Sequence, residues 1–136
     1  MKKWTIFLAL LAATMLAGCS GAVRYQVMGA DAAPGADAHL VVTPKDGNQE
    51  VVLTVENLLP PARAKKGSSS YAVWVRHADR APQQLGNLTY DADKRTGELT
   101  ASTPYKDFLL SVHPEKTENP NAPGQVIVLQ QKVRLD

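Results

Sequence analysis

Short runs of alternating apolar and polar residues recur along this chain, and clusters of glycine, proline, asparagine and aspartate separate them. Alternation with a period of two is the mark of a half-buried β-strand, so the pattern commits the chain to strands joined by turns. The strongest run is Tyr71-Ala72-Val73-Trp74-Val75-Arg76, rich in aromatic and β-branched residues. Gly67-Ser68-Ser69-Ser70 precedes it and Asp79-Arg80-Ala81-Pro82 follows, so turn chemistry bounds it on both sides. It predicts a central strand, with Trp74 the largest single contributor to the core.

Other runs extend the pattern. Ala22 to Met28 alternates, with Val23, Tyr25 and Val27 on one side. Residues 29–37 are small and breaker-rich and read as a loop. His39 to Thr43 and Glu50 to Asn57 predict a hairpin around Asp46-Gly47, where the pair supplies the positive φ that tight hairpins need. Two prolines exclude Leu58 to Lys66 from a central strand and make it an ordered crossing loop. Gln84 to Tyr90 predicts one strand with Gly86 inside it, the sign of a bulge or a close backbone approach. Glu98 to Ser102, Asp107 to His113 (core face Phe108, Leu110, Val112) and Val126 to Leu135 (core face Ile127, Leu129, Val133, Leu135) complete the set. Pro114 to Gly124, with three prolines, predicts a long surface loop. No stretch holds a helical period. Seven to eight short strands with turns between them predict an all-β, Ig-like antiparallel β-sandwich, with Tyr71, Trp74, Leu85, Gly86, Leu99 and Phe108 as structural residues.

The N-terminus belongs to another class of sequence. Met1-Lys2-Lys3 is a basic start, and Trp4 to Leu16 is apolar but for Thr5 and Thr14. Thirteen residues are too few to span a bilayer as a helix and fit a signal-peptide core. The run ends in Leu16-Ala17-Gly18-Cys19, which resembles the lipobox of bacterial lipoproteins. That resemblance implies cleavage between Gly18 and Cys19, acylation of Cys19, and attachment to a membrane through lipid. Ser20 after the cysteine resembles the sorting pattern that favours the outer membrane of a Gram-negative envelope. The expected organisation is a signal peptide over 1–18, a lipidated start and short tether over 19–21, and a sandwich over 22–136. If residues 22–28 stayed outside the sandwich, the tether would instead run to about residue 37; packing inside it is the preferred reading.

Lys2 and Lys3 supply the whole formal net charge of +2, and the rest holds 13 basic against 13 acidic residues. Zero net charge offers no electrostatic reason to bind nucleic acid or an anionic lipid surface. A single cysteine excludes an intrachain disulfide, so the core must hold by apolar burial.

Tyr71 to Val75, Leu85-Gly86-Asn87-Leu88, Gly97-Glu98-Leu99, His113-Pro114-Glu115 and Pro123-Gly124-Gln125-Val126 follow one another in an order that resembles the C-terminal domain of anti-sigma-K factors, over about residues 71–128. The resemblance implies a β-domain outside the cytoplasm and a link to envelope signalling. It departs in two respects. The family's transmembrane helix and sigma-binding segment have no counterpart here, and its Glu-Pro pair stands reversed as Pro114-Glu115.

No residues assemble into catalytic spacing. His39, His77 and His113 fall on three separate strands without metal-ligand spacing. Asp91-Ala92-Asp93 with Gly97 and Glu98 departs from a calcium loop, since Arg95 takes the third ligand position. Ser68-Ser69-Ser70 lacks a nucleophile context. Tyr71, Tyr90 and Tyr105 suggest either an exposed aromatic patch or half-buried strand tyrosines, the second being commoner in a sandwich. The sequence thus points to a non-enzymatic envelope module with no cofactor and no metal, held at a membrane by its N-terminal lipid. It meets an envelope protein through two loops: Pro60, Pro61 and Arg63 in one, Pro114, Glu115, Pro120 and Pro123 in the other. The alternatives are a component of envelope signalling and a metal-binding lipoprotein.

Overall fold

The structure, a computed structural model, describes residues 21–135. The expected signal peptide over 1–18 and the expected lipidation residue Cys19 lie outside the described residues. Among the described residues, nine strands form two antiparallel sheets packed face to face. The five-stranded sheet takes the order β1 (Val23–Met28), β2 (Asp37–Lys45), β3 (Asn48–Glu56), β7 (Thr96–Thr103), β6 (Thr89–Asp91). The four-stranded sheet takes the order β5 (Gln83–Asn87), β4 (Ser70–Arg76), β8 (Asp107–Glu115), β9 (Leu129–Arg134). Alternation decides which side chains meet between them. Val42, Leu40 and Ala38 of β2 and Val51, Leu53 and Val55 of β3 face Tyr71, Val73 and Val75 of β4 and Phe108, Leu110 and Val112 of β8, all buried in one core.

The β2–β3 hairpin closes on a two-residue turn, with Lys45 opposite Asn48. Asp46 at φ 52° and Gly47 at φ 85° give the doubly left-handed turn whose twist matches the strands it joins. β1 pairs with β2 along its whole length, Val23 opposite Val42 through Met28 opposite Asp37. Residues 23–28 are therefore part of the sandwich.

Several features depart from the expected pattern, while the bulge beside Gly86 meets it. Gln84 to Tyr90 is two strands: β5 pairs with β4, then Leu88 turns inward and β6 pairs with β7 in the other sheet. Leu88 still donates its N–H to the Tyr71 carbonyl (3.0 Å), so the switch takes place over a single residue. The expected bulge lies just before Gly86. Val73 faces Gly86 but Trp74 faces Gln84, leaving Leu85 unpaired. The crossing after β3 holds one helical turn, α1 (Pro61–Ala64), which proline favours at its first position. Finally, β8 runs on through Pro114 and Glu115, and a bend at Val128 reverses the alternation before β9. Val128 is buried in the core, and Ile127 is half-buried on the outer face.

Trp74 also differs from expectation. It is buried, 3% exposed, but lies outside the inter-sheet core. Tyr71, Val73 and Val75 point inward, so Ala72 and Trp74 must point to the outer face of the four-stranded sheet. Both are buried there because chain 116–128 crosses that face as a strap.

The strands define two poles. Gly21 lies at one, beside Pro44, with the Asp46-Gly47 turn, the 77–82 loop, residues 104–106 and Leu135. Tyr25 Oη accepts the Arg134 N–H at 3.2 Å and joins the two sheets near this end. The opposite pole holds α1, the 29–36 loop, the 92–95 turn and Glu115.

Candidate functional site

At the pole away from Gly21, the two loops singled out by the sequence come together. Ser69 Oγ donates to the Lys116 carbonyl (2.8 Å), and Ser70 Oγ donates to the Thr117 carbonyl (3.1 Å). Ser69 N–H donates to the Glu115 carbonyl at 2.9 Å. The segment leading into β4 thus holds the start of the strap. The β5 amides take the next grip: Gln84 Nε2 and Asn87 Nδ2 both donate to the Glu118 carbonyl, at 2.9 and 2.8 Å. The strap's far end is fixed through Val128, whose N–H reaches the Val112 carbonyl and whose carbonyl accepts the Ala30 N–H, both at 2.8 Å.

The other loop is pinned from beneath by tyrosines. Tyr71 Oη donates to the Leu59 carbonyl, and Tyr90 Oη donates to the Leu58 carbonyl at 2.6 Å. Their rings meet edge to face at 5.8 Å. Burial raises the pKa of both phenols, so they remain donors across the physiological range. Tyr105 is elsewhere, stacked on His77 at 4.5 Å with Arg80 over its ring. The three tyrosines therefore form no common patch.

Beneath the strap lies a groove of about 220 Å³, with Trp74, Leu109, Pro123 and Ile127 as apolar walls and Ser111, Arg76 and Gln130 among its polar members. His113 borders it and ties it to the strap. A carbonyl oxygen can only accept, so His113 Nδ1 carries the proton given to the Gly124 carbonyl at 2.7 Å. Nε2 is then left to accept the Ser111 hydroxyl at 2.9 Å. Glu115 Oε1 accepts the Gly124 N–H at 2.6 Å, so adjacent β8 side chains hold both polar groups of Gly124. Burial drives the His113 pKa below its usual value of 6.5, against the opposing pull of the Gly124 carbonyl, Glu115 and the Val126 carbonyl. The imidazole is neutral at pH 7. Trp74 Nε1 is buried without a partner among the described residues.

Of the residues predicted to present themselves, Arg63 is exposed, Pro60, Glu115, Pro120 and Pro123 are half-buried, and Pro61 and Pro114 are buried. Pro114 is a strand residue opposite Tyr71, and Glu115 is engaged with Gly124, so both serve the scaffold of the strap. The strap's grip on Trp74 through His113 was missed in the sequence. The signal was the polar Ser111-x-His113 pair on the outward side of a strand whose inward side is wholly apolar.

Asp91 Oδ1 accepts the N–H groups of Asp93 and Lys94 at 3.0 and 3.1 Å, which makes the acidic stretch a side-chain-capped turn. His39 lies exposed on the five-stranded sheet, apart from His113 on the other. No group of three or more histidine, cysteine or acidic side chains is placed to hold a metal among the described residues. Comparison with family models, with curated proteins and with solved structures finds no match.

Proposed function

We propose that this chain is a non-enzymatic, lipid-anchored protein of the bacterial cell envelope that recognises a partner protein at the pole opposite its anchor. The observation that carries the reading is the agreement in register of four sequence features: the basic start, the apolar run, the small pair Ala17-Gly18, and the lone Cys19. Two or more acyl chains on one residue hold a protein stably at a bilayer, since each buried methylene contributes about 0.8 kcal/mol. Ser20 and the resemblance to lipoprotein sorting favour the outer membrane.

The fold supports this reading in two ways. β1 begins at Val23, so only about four residues, a reach of roughly 14 Å, separate Cys19 from the sandwich. The strap and the α1 crossing are joined into one surface at the distal pole, where rigid strands present irregular backbone and exposed Arg63, Lys65, Lys66 and Lys116. An acidic partner surface fits these cations.

The test is crosslinking in the host, from photoreactive probes at Ala62 and Asn121, both exposed. The account expects a defined protein captured from both positions and none from a probe at Ala81 at the opposite pole. Capture from Ala81 alone contradicts it.

A further inference from the structure

We propose that the pole from which the lipid tether emerges is itself a docking surface for anionic phospholipid headgroups, so that the domain stands on the bilayer with its strap outward. This rests on the lipid-anchored reading above. The charges after residue 18 balance in sum, but the fold sorts them. At the Gly21 pole Arg24 and Lys45 come from the five-stranded sheet and its hairpin. Arg76, Arg80, Lys106, Lys132 and Arg134 come from the other sheet and its loops, and all seven are exposed. The acids among the described residues here are Asp46, Glu50, Asp79 and Asp107, and Asp136 follows Leu135 outside them. Glu50 is taken by Lys45 at 3.5 Å and Asp107 by Arg134 at 4.0 Å. Arg76 and Lys132 flank Leu109 across three adjacent strands and make no ion pair among the described residues.

The distal pole has the opposite balance. Acids there, such as Glu56, Asp91, Asp93 and Glu98, outnumber cations, although Arg63, Lys65, Lys66 and Lys116 gather on the strap side. Strands of nine residues separate the poles by about 30 Å. Charges are screened over about 8–10 Å at physiological salt, so each pole acts on its own surroundings and the zero sum does not matter. Gly21 is two residues from Cys19, and two residues reach only about 7 Å. The basic pole is the one held within screening distance of the headgroups.

The experiment uses full-length, host-processed protein carrying Ala81→Cys or Ala62→Cys, each labelled with a fluorophore. The protein is reconstituted in vesicles containing a nitroxide headgroup quencher, either with phosphatidylglycerol or with phosphatidylcholine alone. The proposal expects the Ala81 site to be quenched at least about twofold more strongly on phosphatidylglycerol, the Ala62 site to stay unquenched, and raised salt to remove the difference. Arg76→Gln with Lys132→Gln should lower the headgroup-facing population by roughly fivefold or more. Charge removal at Lys65 and Lys66 should leave it unchanged. Equal quenching of Ala81 on both vesicles, with Cys19 shown to be acylated, overturns the proposal alone. So does stronger quenching at Ala62. An unacylated Cys19 overturns it together with the reading it rests on.

Discussion

His113 shows how one side chain sets a condition on the whole outer face. Its buried ring is neutral, with Nδ1–H on the strap and Nε2 on Ser111. Burial lowers its pKa in the folded state, so the unfolded chain binds the proton more readily. Stability is then complete above the unfolded value near 6.5 and declines as pH falls toward the lower, folded value. Urea midpoints measured from pH 8 to pH 4.5 should be flat and then fall, and His113→Gln should remove the His-dependent part of that fall. Gly29 shows a different constraint. A Cβ there would come within 2.1 Å of the Ala33 carbonyl and 2.9 Å of Ala36 Cβ, against backbone that cannot swing aside. Gly29→Ala should cost about 2–3 kcal/mol, read as a lower urea midpoint with unchanged slope.

At the scale of elements, strand existence reads directly from the sequence, because burial on one face imposes alternation on β1, β2, β3 and β8. Sheet membership does not. Leu88 looks like one more apolar residue in a strand, and only its donation to Tyr71 while Tyr90 pairs with Gly97 divides the run between sheets. Trp74 was legible as buried but not as to which side, since a strand covered on both faces loses its alternation. The strap that covers it has no periodicity and is held by single polar contacts from Ser69, Ser70, Gln84 and Asn87. That organisation predicts local rather than global opening. Ser69→Ala with Ser70→Ala should speed amide exchange over residues 116–124 while costing no more than about 2 kcal/mol in global stability. If the core of β3 and β4 exchanged faster by the same factor, the strap would be part of one cooperative unit with the core.

The whole molecule has a direction. The described chain begins with Gly21 at one pole, a strapped irregular surface occupies the other, and strands about 30 Å long keep them apart. None of this polarity is legible in net charge or composition. Antiparallel topology creates it, returning residues as distant in sequence as Arg24, Arg76 and Lys132 to the same end. Cys19→Ala should release the domain from membranes into the soluble fraction of a host fractionation without lowering its melting temperature, because the strands of both sheets are drawn from residues 23–134. The lipid anchor is the claim from which the rest of the orientation follows. Intact-mass analysis of the protein extracted from its host membranes tests it most directly. The account predicts a chain beginning at Cys19 whose mass includes a diacylglyceryl group. A chain that keeps residues 1–18, or that begins at Cys19 with a free thiol, would contradict it.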